Sequence, residues 1–159
     1  MHDTRQTRPD VAGTVLTLRI LWAALLMGQV VFFTAVLMVL MRGSGAPAVG
    51  AKVIEMMLMI CTVMLIAALV GGYHLRMQIY KAYWQADAVT PRGYFVGNLL
   101  LLAMLEGVSM FGLVIVLLGG ALLPAIGPSV VAVASQLVNF PTGRAMLRKS
   151  DSADHELER

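Results

Sequence analysis

Residues 20–41 read ILWAALLMGQVVFFTAVLMVLM, 22 positions from Ile20 to Met41 in which Gln29 and Thr34 are the strongly polar interruptions. A helix needs about 20 predominantly apolar residues to cross the hydrocarbon of a bilayer, so this run predicts a transmembrane span. Its length also argues against a cleaved signal peptide, whose apolar core is usually about 7–15 residues, although Ala46-Pro47-Ala48 offers a small-residue cleavage pattern. Working outward, Gly43, Ser44, Gly45 and Pro47 break the helix, and a second run follows from Val53 to Gly72, with Glu55 near its mouth and Gly71-Gly72 at its close. A polar, aromatic-rich connection, YHLRMQIYKAYWQADAVTPR, leads to a third run between Gly93 and Leu118. Gly119-Gly120 then turns the chain into a fourth run that Pro141 closes. The reading is all-α: a polytopic membrane protein with four transmembrane helices over residues 20–41, 53–72, 94–118 and 121–140, a segment 1–19 before them and a polar tail 141–159 after them.

Composition agrees. Of 159 residues, 58% are hydrophobic and 13% charged, where a soluble domain carries about 25% charged residues; these side chains cannot cover a core of this composition in water. The net charge of +3 does not point to nucleic acid, because Lys and Arg flank apolar runs instead of forming an aromatic-interleaved basic face. One cysteine, Cys61, excludes an intrachain disulfide or a multi-cysteine metal site.

Basic residues resist translocation, so their distribution predicts orientation. Arg5, Arg8 and Arg19 before the first run, Arg76, Lys81 and Arg92 in the second connection, and Arg144, Arg148, Lys149 and Arg159 after the fourth all fall on one side; Arg42 and Lys52 fall on the other. Both termini are therefore expected in the cytoplasm. Tyr80, Tyr83, Trp84, Tyr94 and Phe95 suit the headgroup level of that face, and its basic residues suit anionic headgroups as the expected lipid partner.

Glu106 lies near the centre of the third run. An ionised acid there costs about 2.5–3.5 kcal/mol on insertion scales, so it should face the bundle, find a partner or stay protonated. Leu102, Ala103, Ser109, Met110 and Leu113 share its helix face by spacing, and Ser109 is placed to donate to it. At 1.5 Å per residue, Gln29 lies about 13 Å and Glu106 about 18 Å from the basic boundary, one helical turn apart in depth. Ala103 and Gly107 form a small-xxx-small pair beside the acid, which admits a second helix, and Gly93 and Gly97 repeat the pattern nearer the boundary. Two readings of Glu106 follow: a neutral acid that sets helix register through Gln29 or a carbonyl, or a group that binds a proton, a cation or a polar substrate.

The string LLAMLEGVSMFGLVIVLL around Glu106 resembles the carboxylate helix of rotary ATPase proteolipid (c) subunits, with Phe111-Gly112 and the aliphatic run Leu113, Val114 and Val116 following the acid. The resemblance covers about twenty residues and implies, for Glu106 alone, a carrier of the translocated proton or sodium ion. It departs from the family in lacking a partner span of closely spaced glycines and in placing the acid in the third of four spans. More widely, LRILWAALLMGQVVFF, LLLLAMLEGVSMFG and NFPTGR resemble small four-helix inner-membrane proteins of bacteria. That likeness implies a bacterial inner-membrane location and an architecture, but no activity.

Other chemistry is less well carried. Met57, Cys61 and Met64 share a helix face and could present soft sulfur to Cu(I), but methionines also fill apolar gaps. His2, His74 and His155 lie outside the runs, which excludes axial haem ligation within a span. His74, Arg76, Tyr80, Lys81 and Asp87 show no nucleophile–base–orienter spacing of an interfacial enzyme. Pro124 and Pro128 are expected to loosen the fourth span. The sequence thus predicts a non-enzymatic membrane component without a cofactor, an assembly or structural subunit that partners a second copy or another membrane protein. The alternative is an oligomer that handles protons or cations at Glu106.

Overall fold

The computed structural model describes residues 7–42, 49–85, 87–119 and 122–147. Their architecture is all-α, with four helical rods. Three of these rods, Val11–Met41, Ala51–Ala82 and Pro91–Leu117, are long and apolar enough to cross a membrane. Helix α1 runs Thr7–Met41 over 35 residues, about 52 Å at 1.5 Å per residue against a hydrocarbon thickness of about 30 Å. The helix therefore begins well before the apolar run does, because its hydrogen bonds do not stop at a hydrophobic boundary.

The second rod is helix α2 (Ala51–Ile66), a π-helical turn at Ala67–Gly71, and helix α3 (Gly72–Ala82). Gly71-Gly72 does not close it: Gly71 (φ −69°, ψ −43°) and Gly72 (φ −61°, ψ −44°) are both right-handed helical. Residues 54, 61 and 68 turn inward at heptad spacing, and that spacing would next place Leu75 inside. Instead 72 and 80 are buried, 76 is half-buried and Leu75 is exposed. A π turn takes up an extra residue, and the one-residue change of phase brings Arg76 and Tyr80 around to the bundle. A Cβ on Gly72 would meet Leu101 Cδ1 at 3.0 Å, so the glycine serves a close helix crossing instead of a stop.

Strands β1 (Trp84–Gln85) and β2 (Ala88–Val89) form a minimal antiparallel hairpin whose turn carries Asp87 at φ 65°. Helix α4 (Pro91–Leu117) starts with Pro91 in its first turn, and the Thr90 hydroxyl accepts from Gly93 N–H at 3.4 Å. Thr90→Ala is expected to lower stability by about 1 kcal/mol, the usual worth of a helix N-cap, measurable as a shift of the unfolding midpoint in detergent. Helix α5 (Leu122–Val138) is 17 residues long and runs through Pro128. At about 25 Å it is shorter than the three long rods, so the fourth predicted span is an apolar helix of lesser reach.

Helix α4 is the axis: it packs against α1, α2, α3 and α5. Two cores result. One runs through the bundle and includes Val36, Cys61, Leu101, Leu105, Val108, Ile115, Ala125 and Ala132. The other lies at the basic end, where Leu18, Tyr80, Val89, Tyr94 and Met146 meet. The start of the expected polar tail belongs to this second core: Gly143 takes φ 79°, its N–H donates to the Tyr94 hydroxyl at 3.0 Å, and a 3-10 turn at Arg144–Met146 seats Met146 inside. Apolar Met146 and left-handed Gly143 hold residues 141–147 against the bundle.

Candidate functional site

The polar groups inside this apolar bundle sit between α1, α4 and α5. Gln29 and Gln136 are both buried, and Gln29 Nε2 donates to Gln136 Oε1 at 3.0 Å. Gln136 Nε2 donates in turn to the Leu102 carbonyl of α4 at 3.4 Å, while the Gln136 carbonyl accepts from Trp22 Nε1 at 2.9 Å. Two turns further along α4, Ser129 of α5 donates to the Ser109 carbonyl at 2.9 Å. Gly112 allows that approach, since a Cβ there would fall 2.8 Å from the Ala125 carbonyl. In hydrocarbon each such interhelical bond is worth about 0.6–2 kcal/mol, so these contacts tie α5 to α1 and α4.

Beside them lies a cavity of about 350 Å³, lined by Leu26, Gln29 and Phe33 of α1, Ser109 and Leu113 of α4, and Val133 of α5, among others. Gln29 lines it, but its Oε1, without a hydrogen-bond partner, is buried behind the apolar surface. Leaving such an acceptor unmatched costs about 1–3 kcal/mol.

Comparison with known protein families, curated proteins and solved structures returned no match. The residues themselves carry the reading.

Glu106 does not meet the partners expected for it. Gln29 turns to Gln136 instead, and no hydrogen bond joins Glu106 to Ser109. Among the described residues none reaches the Glu106 carboxyl with a hydrogen bond or an ion pair. The acid is half-buried at the margin of α4, next to exposed Ala103 and Gly107. A Cβ on Gly107 would meet nothing within 4 Å. The pair that packs within the chain is Gly93 and Gly97: a Cβ on Gly93 would meet Tyr83 Cγ at 2.8 Å, and one on Gly97 would meet Tyr80 Cε1 at 2.8 Å.

At the basic end, Arg76 Nη1 donates to Asn139 Oδ1 at 2.9 Å, and its guanidinium stands 5.4 Å from the Tyr80 ring centroid and 5.9 Å from that of Tyr73. Asn139 also donates to the Tyr73 hydroxyl. Asn98 donates to the Tyr80 hydroxyl at 2.7 Å and the Tyr94 carbonyl at 2.8 Å. Arg19 Nε donates to the Pro141 carbonyl at 3.2 Å with its guanidinium 5.1 Å from the Phe140 ring centroid, and Trp22 meets the same ring edge-on. Lys81, Trp84, Arg92 and Arg144 are exposed. Arg148 and Lys149 lie outside the described residues.

The sulfur face of α2 does not assemble. Cys61 Sγ is turned toward the Val108 carbonyl at 3.9 Å, while Met64 is exposed. Among the described residues no group of three His, Cys, Asp or Glu side chains is placed to hold a metal ion. Among the site residues that sequence reasoning missed are Gln136, Asn98 and Asn139. Each is an amide within or just beside an apolar run, the same signal that singled out Gln29.

Proposed function

We propose that this chain is a non-enzymatic integral membrane protein of the bacterial inner membrane, with both termini cytoplasmic, whose role is assembly. The exposed strip of α4 around Ala103 and Gly107 receives the same strip of a second copy. The observation that carries this reading is Glu106, a carboxyl at membrane depth with no partner among the described residues, standing next to a glycine with open space above it. A small-xxx-small strip lets two backbones approach, and a protonated carboxyl both donates and accepts. Two copies related by a twofold axis can therefore satisfy each other's acid, which relieves the cost of leaving it in hydrocarbon. The basic ends of the rods support the cytoplasmic placement through the positive-inside rule.

Association of donor- and acceptor-labelled copies in lipid bilayers, read by energy transfer, tests the proposal. Gly107→Leu should weaken association by roughly tenfold or more, because the side chain holds the backbones apart. Glu106→Gln should retain it, since an amide also donates and accepts. Transfer no greater than that of a non-interacting control at the same protein-to-lipid ratio would refute the dimer.

A second reading, ion handling by an oligomer, is favoured by the same uncommitted carboxyl. In the same vesicles it requires a proton or sodium flux that Glu106→Gln abolishes.

A further inference from the structure

Helices α1 and α5 each pack against α4, and the 350 Å³ cavity is the cleft that remains between them. At its basic end the seam is closed. Trp22 Nε1 donates there to the Gln136 carbonyl at 2.9 Å, the Trp22 ring meets Phe140 edge-on, and Arg19 Nε donates to the Pro141 carbonyl at 3.2 Å. Deeper along the seam the two helices stand apart. Leu26 and Phe33, which line the cleft, repeat the position of Arg19 at heptad spacing, so the arginine stands on the same face of α1. Val30, Val130 and Leu137 at the border are more than half exposed, so the cleft opens sideways, toward lipid in a bilayer. Its surface is apolar and carries no charged side chain, which suits a hydrocarbon chain and offers nothing to a polar ligand.

The end of the seam has the opposite chemistry. Arg19 is exposed, and among the described residues no carboxylate pairs with it. Its Nε–H is committed to the Pro141 carbonyl and its guanidinium stands 5.1 Å from the Phe140 ring centroid, which leaves both Nη groups to donate to an anion. A guanidinium held in this way is a pre-organised fork for phosphate. We propose that one anionic phospholipid of the cytoplasmic leaflet docks along the α1–α5 seam, its phosphate accepting from the Arg19 Nη groups and one acyl chain lying in the cleft. Depth agrees: at 1.5 Å per residue Leu26 and Val30 lie about 9 and 15 Å beyond Ile20, within the half-bilayer of about 15 Å that a chain of that leaflet fills. Trp22 and Phe140 lie between, near the headgroup level where indole rings settle. The arginine selects the headgroup and the apolar wall the chain. The inference rests on the membrane placement proposed above but not on pairing of α4 strips.

Trp22 reports on this seam, and in a Trp84→Phe background it is the remaining tryptophan. The protein is reconstituted in dioleoylphosphatidylcholine vesicles that contain increasing fractions of 9,10-dibromostearoyl phosphatidylglycerol or of the phosphatidylcholine with the same chains. Quenching of Trp22 should show a preference of about fivefold for the anionic lipid. Arg19→Gln should bring the two lipids near equality, while Arg19→Lys, which keeps the charge, should retain the preference. Arg92→Gln, at an exposed arginine of the same end on α4, should leave it unchanged. Val133→Phe, which fills the cleft and leaves Arg19 in place, should also bring the lipids near equality. Equal quenching by both lipids in the unsubstituted seam would overturn the site, and so would equal losses in Arg19→Gln and Arg92→Gln, the mark of diffuse attraction to a basic face. A preference that survives Val133→Phe would overturn the seating of the chain. Quenching by neither lipid would overturn the membrane placement as well. Glu106→Gln should change nothing, which keeps failure here distinct from failure of the dimer.

Discussion

Gly112→Ala should destabilise the bundle by about 2 kcal/mol, although alanine is the better helix former by up to about 1 kcal/mol. The added carbon would lie 2.8 Å from the Ala125 carbonyl and closer still to the Ser129 hydroxyl. The hydroxyl can rotate, but only by giving up its bond to the Ser109 carbonyl. The Ala125 carbonyl is backbone, so α5 must move away from α4. Overpacking of this kind costs about 1–3 kcal/mol and a lost hydrogen bond adds about 1; together they outweigh the gain in propensity. Gly107→Ala is the control. It lies on the same helix with nothing within 4 Å, so the gain in propensity stands unopposed and the monomer should be stabilised by up to about 1 kcal/mol. Unfolding of both variants in mixed dodecyl maltoside and SDS micelles, followed by far-ultraviolet ellipticity, checks the sign of each. Equal shifts would mean that α5 does not approach α4 at Gly112.

The contrast between these two glycines marks where the sequence stops being legible. Apolar runs of sufficient length announce helices, and three of the four rods follow from run length alone. What a glycine does within a run depends on its azimuth. Gly107 belongs to the pair that spacing offers for packing, yet it faces outward, while Gly93, Gly97 and Gly112 carry the close contacts. Likewise Gly71-Gly72 has the composition of a stop, but a glycine pair in right-handed geometry continues a helix when no proline follows and a neighbour needs the room. Nothing in Ala67–Gly71 marks the π turn, because its cause lies in α4, the helix against which Tyr80 and Arg76 must be turned. The end of a helix and the edge of a membrane are also separate events, which is why α1 starts at Thr7 and not at Ile20.

For the site, an amide or acid in an apolar run is conspicuous, so Gln29, Ser109 and Glu106 stand out from the chain itself. Their partners do not. Depth along the spans places Gln29 within a turn of Glu106, but side chains meet only if they also point the same way around their helices. Gln29 turns toward α5, where Gln136 waits, and Glu106 turns to the margin of α4. Depth was readable from counting residues; azimuth depended on the packing of all four rods.

Gln136→Leu should cost about 2 kcal/mol and Gln29→Leu less than about 1, and the two together should cost little more than Gln29→Leu alone. The asymmetry follows from the direction of the hydrogen bonds. Removing the Gln136 amide strands Gln29 Nε2 in a wall where its Oε1 is already unmatched. Removing Gln29 leaves one acceptor, Gln136 Oε1, unpaired, but also deletes the unmatched oxygen. With both replaced by leucine, no polar atom of the pair is left to desolvate, and the hydrocarbon that remains suits the neighbouring Leu26, Leu113 and Val133. The singles should therefore fail to add, with a coupling of about 1–2 kcal/mol in a double-mutant cycle. Additive costs near 3 kcal/mol would show that the two amides do not bond to each other. Should Gln29→Leu prove the costlier single, the donor order set by the Leu102 carbonyl would be reversed.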